Sequence, residues 1–163
     1  MEEIIGRYPY LFPAFFAAFW CFVLSILARL SGWTHLATFY RSEDSFEGAK
    51  RHFQSMSMGR GGLMDTNFSN CVTFGVDQRV FRLSMFLLFR PFHPPLSIPL
   101  SDLSATRRKF LFFRMVRIHT SRAPGIRMTI GESQARWIEE NSGGAWVLPA
   151  DDHVESEAHA GTT

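Results

Sequence analysis

Residues 8–28 read YPYLFPAFFAAFWCFVLSILA, an unbroken run without a charged side chain between Arg7 and Arg29. A helix of that length covers about 30 Å at about 1.5 Å of rise per residue, the thickness of a bilayer's hydrocarbon core. Pro9 and Pro13 stand near its start, where a missing N–H costs little. Tyr8, Tyr10 and Trp33 bracket the run at the depth that amphipathic aromatics favour. The sequence therefore predicts one transmembrane helix within an N-terminal segment, residues 1–30. A secretory signal fits less well. Its leader is basic and its end carries a small-x-small cleavage pattern, whereas MEEIIGR sets Glu2 and Glu3 against Arg7 and the run closes Ala28-Arg29-Leu30. A buried core helix would show a polar stripe, for which only Cys21 and Ser25 are present.

Lys and Arg near the run set its orientation. Arg7 stands alone before it, while Arg29, Arg41, Lys50 and Arg51 follow. The expectation is a single-pass inner-membrane protein with its N-terminus outside and the remainder cytoplasmic, where the acceptor-like Asn67-Phe68-Ser69 would carry no glycan. Residues 31–49 form a connector. In SGWTHLATFYR (31–41), Trp33, Leu36, Ala37 and Tyr40 recur at helical spacing. That face can pack on the following domain or lie on the membrane. The single permanent cation, Arg41, favours packing, because surface-lying helices are usually basic.

From residue 50 short apolar runs alternate with turn signals, as in an antiparallel β domain. Strands are expected around Arg51–Ser57, Asn67–Gly75, Arg79–Leu88, Leu96–Pro99, Lys109–His119 and Gly125–Ile130. The breakers are Gly59-Arg60-Gly61-Gly62, Val76-Asp77-Gln78 and the proline-rich RPFHPP of 90–95. Phe81, Leu83, Met85 and Leu87 alternate with polar residues, as do Ile126, Met128 and Ile130. Phe110-Leu111-Phe112-Phe113 is apolar on both parities, so this part of its strand should be covered twice or touch something outside the domain. Glu132–Asn141 has a helical pattern with Ser133 as N-cap, Ala135, Ile138 and Trp137 as contacts, and Gly143-Gly144 as the stop. The predicted fold class is α+β: a transmembrane helix, then a small antiparallel β-barrel or sandwich of six to seven strands with a C-terminal helix (50–146), then an acidic disordered tail (147–163).

Hydrophobic residues make up 46% of the 163, with 17 Phe, which excludes a disordered polar chain. Two cysteines, one of them inside the apolar run, cannot build a disulfide scaffold or a structural zinc site. Phosphate-loop, nucleophile-elbow, zincin and dinucleotide motifs are missing from the sequence. The histidines lack ligand spacing apart from His153 and His159 in the tail, so neither a metal nor a cofactor is expected. His93 within Phe92-His93-Pro94-Pro95 could titrate near neutrality, with Asp102 nearby in sequence, yet it has no identifiable nucleophile or carboxylate partner. A histidine holding loop backbone, and an aspartate accepting backbone N–H bonds at a strand exit, are the simpler readings. The expectation is a non-enzymatic protein with no catalytic residue.

SGWTHLATFYR (31–41), FRPFHPPLSIPLSDLS (89–104) and the arginine-rich strand after them resemble an uncharacterised family of bacterial single-span membrane proteins with a PH-like or GRAM-like soluble domain. The resemblance covers about Ser31 to Asn141 and is most specific at Pro94–Leu103. It implies architecture, with a helix plugging an open corner of two orthogonal sheets, and implies no activity.

The charge is segregated. Eleven basic residues between Arg79 and Arg136 face only Asp102 and Glu132, whereas six acidic residues and no basic one follow Arg136. Next to a bilayer such an excess attracts anionic headgroups, each close cation contributing about 1 kcal/mol. The best candidate contacts are Arg107, Arg108 and Lys109, read as a strand-to-strand turn, with Arg114 and Arg117. The same arginines could be a solvated face neutralised by the acidic tail. Nucleic acid fits poorly, because the aromatics are patterned as core. The function read from sequence is a membrane-anchored module contacting a partner protein or anionic lipid. The alternative is an accessory subunit of a membrane complex whose helix is the interface, through the small-residue face of Ala14, Ala17, Ala18 and Cys21.

Overall fold

The computed structural model describes residues 10–61 and 65–150, apart from the side chain of Phe110. The tail from residue 151, with His153 and His159, and the expected Tyr8 and Pro9 flank lie outside the described residues, as does Gly62.

Helix α1 (Leu11–Leu30) takes in nearly the whole apolar run, with Pro13 in its first turn and Arg29 in its last, where a cation complements the carbonyl end of the helix. It is long and apolar enough to cross a membrane. Phe12, Phe15, Phe16 and Phe19 are more than half exposed, whereas Leu24 and Ala28 near the other end are buried. Gly32 then turns the chain at φ 83°, the left-handed region, and a Cβ there would fall 2.3 Å from Ile126 Cδ1. Only glycine meets both conditions without strain.

Helix α2 (Trp33–Tyr40) follows, with Trp33, Leu36 and Tyr40 buried. Seven strands come next: β1 (Ala49–Gly59), β2 (Thr66–Val76), β3 (Val80–Met85), β4 (Leu96–Pro99), β5 (Leu103–Phe110), β6 (Phe113–Thr120) and β7 (Arg127–Gly131). Helix α3 (Glu132–Asn141) closes the domain. The strands form one antiparallel sheet in the order β4-β3-β2-β1-β7-β6-β5. β1 is the shared strand, pairing with β2 along its length and with β7 over its last residues. Its register slips between Arg51 and Met56, and Phe53 there has φ 55°. An extra residue in one strand bends it and increases its twist. The sheet curls there into a half-barrel whose edges, β4 and β5, do not pair.

The concave face holds Val72, Phe74, Phe81, Leu83, Ile98, Val116, Ile118, Met128 and Ile130, which follows from their period-two spacing. Two helices complete this core. α2 packs beside β4 and contributes its three buried side chains, so one face of the connector helix belongs to the domain's interior. α3 lies by β6 and β7 with Ala135 and Ile138 buried.

Four details differ from the sequence expectation. The strand expected at Lys109–His119 is two, because the chain reverses at Leu111-Phe112 and an additional strand, β5, precedes it. The third strand stops at Met85, and Leu87–Phe89 form a 3-10 turn with Leu87 73% exposed. The N-cap of α3 is Gly131, whose N–H donates to Gln134 Oε1, instead of Ser133. Order continues past residue 146: Leu148 is buried, its N–H donates to Glu139 Oε1, and Pro149 O accepts from Arg107 Nε.

Candidate membrane-facing site

When β3 ends, four apolar residues of both parities, Phe86-Leu87-Leu88-Phe89, leave the sheet. Phe86 N–H donates to Cys71 O, Phe89 N–H to Phe86 O and Arg90 N–H to Leu87 O, which engages part of the turn's backbone. It lies along α1. Trp20 Nε1 donates to Leu88 O at 3.1 Å, and the Trp20 and Phe89 rings stand 5.6 Å apart. Phe86, Leu87, Leu88 and Phe92 remain at least half exposed, and Phe53 of the β1 bulge joins them, its ring 6.2 Å from that of Phe86. The result is an apolar edge beside an apolar helix. Trp20 is nine residues before Arg29, so about 14 Å of helix separates this contact from the first charge.

The turn is anchored from below. Trp33 Nε1 donates to Pro94 O, and His93 is enclosed between Trp33 and Phe68, ring centroids 5.4 and 5.8 Å away. His93 is 1% exposed; its Nδ1 lies 3.2 Å from Pro91 O and its Nε2 has no partner. Asp102 is elsewhere, accepting from Tyr40 OH at 3.1 Å and pairing with Arg122 at 3.4 Å. His93 and Asp102 thus sit in separate contacts, His93 in the aromatic core beneath the turn and Asp102 in a hydrogen bond and ion pair with Tyr40 and Arg122.

Burial pushes the His93 imidazole pKa down, against a smaller upward pull from the Pro91 and Phe89 carbonyls. The folded state therefore resists a proton that the unfolded chain accepts near pH 6.5. Stability contributed by neutral His93 is complete above that value and lost as pH falls through the lowered one. Full-length protein in detergent should lose stability from pH 7 to pH 5, and the H93F variant should lose less. His119, lowered by burial and by Arg117, keeps part of the slope. Denaturant unfolding at the two pH values checks this, and equal slopes for the two chains would contradict it.

The five basic residues singled out in the sequence do not form one patch. Cross-strand partners share a face, and the pairs Lys109↔Arg114 and Arg107↔Val116 put Arg107, Lys109 and Arg114 on the concave side. Arg108, opposite Met115, and Arg117, opposite Thr106 and Thr129, lie on the convex side. They are strand residues, and the turn expected among Thr106–Lys109 falls at Leu111-Phe112. On the concave side Glu132 gathers Arg107 at 3.0 Å, Arg136 at 2.8 Å and Arg114 at 3.9 Å. Part of the basic excess is thus neutralised by Glu132. Of the two expectations for Phe110–Phe113, cover on both faces or contact outside the domain, the first does not hold at Leu111, Phe112 and Phe113, which are 69, 91 and 69% exposed.

Two clefts flank the 90–95 segment. The first, about 260 Å3, lies on the outer face of β1–β3 and is lined by Lys50, His52, Arg82 and Arg90 around Phe46. The second, about 480 Å3, opens between α1 and α2 beside Phe92 and Pro94. Sequence reading found neither, nor the turn on α1, because each depends on contacts between distant segments. A local sign of the turn existed: alternation fails at Phe86–Phe89, directly before the prolines. Ala14, Ala17 and Ala18 are exposed on α1 and Cys21 is half-buried. Among the described residues no group of three or more His, Cys, Asp or Glu side chains is placed to hold a metal.

No family model matches the chain, and neither a curated protein nor a solved structure is significantly similar to it.

Proposed function

We propose that this protein is a non-enzymatic, membrane-anchored binding module: α1 spans the inner membrane, and the β domain sits at the cytoplasmic face as a PH-like adaptor for anionic lipid or a partner protein. The Trp20–Leu88 contact carries the reading. If α1 spans, the Phe86–Phe89 turn enters the near half of a bilayer whose hydrocarbon core is about 30 Å thick. Irregular backbone is tolerated there only when its polar groups are satisfied, and the Trp20 donor to Leu88 O, with the turn's own bonds, meets part of that demand. The domain would be held by three apolar elements, α1, the turn and Phe53, which fixes its orientation against the surface. The strand order, a bent shared β1 and a C-terminal helix over an incompletely closed sheet support the PH-like reading, and the preponderance of cations after α1 supports a cytoplasmic domain.

The test uses single cysteines in a C21A background, since Cys71 is buried and its thiol pKa is pushed up by that burial. A membrane-impermeant maleimide should label S101C, on an exposed turn, in inverted vesicles and leave it unlabelled in intact cells. L88C should stay unlabelled in both. Labelling of S101C from outside intact cells would reverse the orientation. L88C reacting as fast as S101C in inverted vesicles would remove the embedded turn.

A further inference from the structure

Where α1 ends and the chain turns into α2, the larger cleft has two unlike ends. Ala28, Ala37 and Phe92 make an apolar wall, while Arg29 and Arg41 bring two guanidinium groups, with Thr34 and Thr38 on the exposed side of α2. Arg29 makes no side-chain ion pair or hydrogen bond among the described residues, and Arg41 pairs with the exposed Glu43. Arg29 is also the first charge after the apolar run, so the cleft lies at the level where a bilayer's headgroups begin if α1 spans.

The smaller cleft is more basic by count, but Arg82, Lys50 and His52 are engaged within it. Arg82 donates to Ser42 O and to Ser97 Oγ, and the Phe46 ring stands 5.8 Å from both Arg82 and Lys50. Those groups fix the 42–48 segment to the sheet. The exposed Leu111–Phe113 tip has nothing in the structure to say what covers it.

We infer that the α1–α2 cleft binds a phosphate-bearing membrane lipid, with Arg29 and Arg41 as ligands of the phosphate and Ala28, Ala37 and Phe92 against the glycerol and upper acyl portion. The inference rests on the anchoring proposed above and names its ligand. Guanidinium groups suit this task because their planar donors meet phosphate oxygens in pairs, and at a bilayer surface they keep their charge at any physiological pH. Glu43 competes for Arg41, so a lipid phosphate would share or displace an existing pair, and an anionic headgroup gains more from two cations than a zwitterionic one.

Full-length protein in dodecyl maltoside, titrated with phosphatidylglycerol and read by native mass spectrometry, should retain one lipid under activation that strips the others. The R29Q/R41Q chain should bind it about tenfold more weakly, the effect of losing one or two charge-assisted bonds. T34E, which keeps both arginines and adds a carboxylate among them, should show the same loss and guards against a folding defect in the double variant. R108Q/K109Q should bind as the parent does. Equal losses in both arginine-directed pairs would mean diffuse attraction to a basic surface and would overturn the cleft, as would parental binding by R29Q/R41Q and T34E. Displacement by excess inorganic phosphate would reassign the site to a free anion. Protection of L88C in the R29Q/R41Q background is expected to persist, so failure of the cleft and failure of the anchoring give different results.

Discussion

Trp33→Ala is expected to cost about 3–5 kcal/mol of domain stability, the range for removing a large aromatic from a packed core. Trp33 has no exposed surface and stands where α2, the sheet and the 90–95 segment meet. Its ring faces Phe68 at 6.0 Å and His93 at 5.4 Å, and its Nε1 donates to Pro94 O at 3.0 Å. Alanine would lose the apolar burial, leave a cavity and withdraw a hydrogen bond from a carbonyl at the base of the apolar turn. Natural domains are stable by only about 5–15 kcal/mol, so the loss takes a large share of the total. Denaturant unfolding of the full chain in detergent measures it, with Phe39→Ala, a substitution on the exposed side of the same helix, expected to cost far less. A Trp33→Ala loss below about 1.5 kcal/mol would mean that the α2–sheet junction relaxes to fill the space. L88C in the W33A background should then become more reactive, because Pro94 is part of what holds the turn against α1.

What the sequence made legible were features with a short period. The uniform apolarity of α1, the alternation at Phe81, Leu83 and Met85, and the helical spacing of Glu132–Asn141 each rest on neighbours within a few residues, and each reappears in the structure. The hairpin at Leu111-Phe112 was hidden because it breaks the usual turn chemistry: a leucine at φ 51° where glycine, asparagine or aspartate is the common choice. The basic run was legible as charge and illegible as surface. Alternation sends Arg107 and Arg108 to opposite faces, and whether an arginine meets water or a carboxylate depends on Glu132, a residue two strands later in the chain. The clefts were out of reach for the same reason, since Arg29 and Arg41 come together with Phe92 only after the sheet has brought the 90–95 segment back to α1.

Glu132→Ala should be the most damaging substitution of a charged residue among those described, costing about 2–3 kcal/mol; the figure is discounted from the cost of breaking a fully buried pair because two of the three partners are more than half exposed. Glu132 is the first residue of α3 and only 13% exposed, and its carboxylate meets Arg107, Arg114 and Arg136. A negative charge in the first turn also complements the unpaired N–H groups of the helix. Its removal leaves three cations converging on a vacated position, with Arg107 only 22% exposed. Glu132→Gln should recover part of the loss, since the amide keeps one acceptor oxygen. Because mutual repulsion of the remaining arginines is screened by salt, the deficit of E132A should shrink at high ionic strength, which a purely steric defect would not do. Arg107 also donates to Pro149 O, so loosening it should release the segment that buries Trp146 and Leu148 and shift tryptophan emission to the red. A salt-independent loss would place the cost in packing. A loss under about 1 kcal/mol would mean that the basic face needs no internal counter-ion and that its excess charge is held by solvent alone.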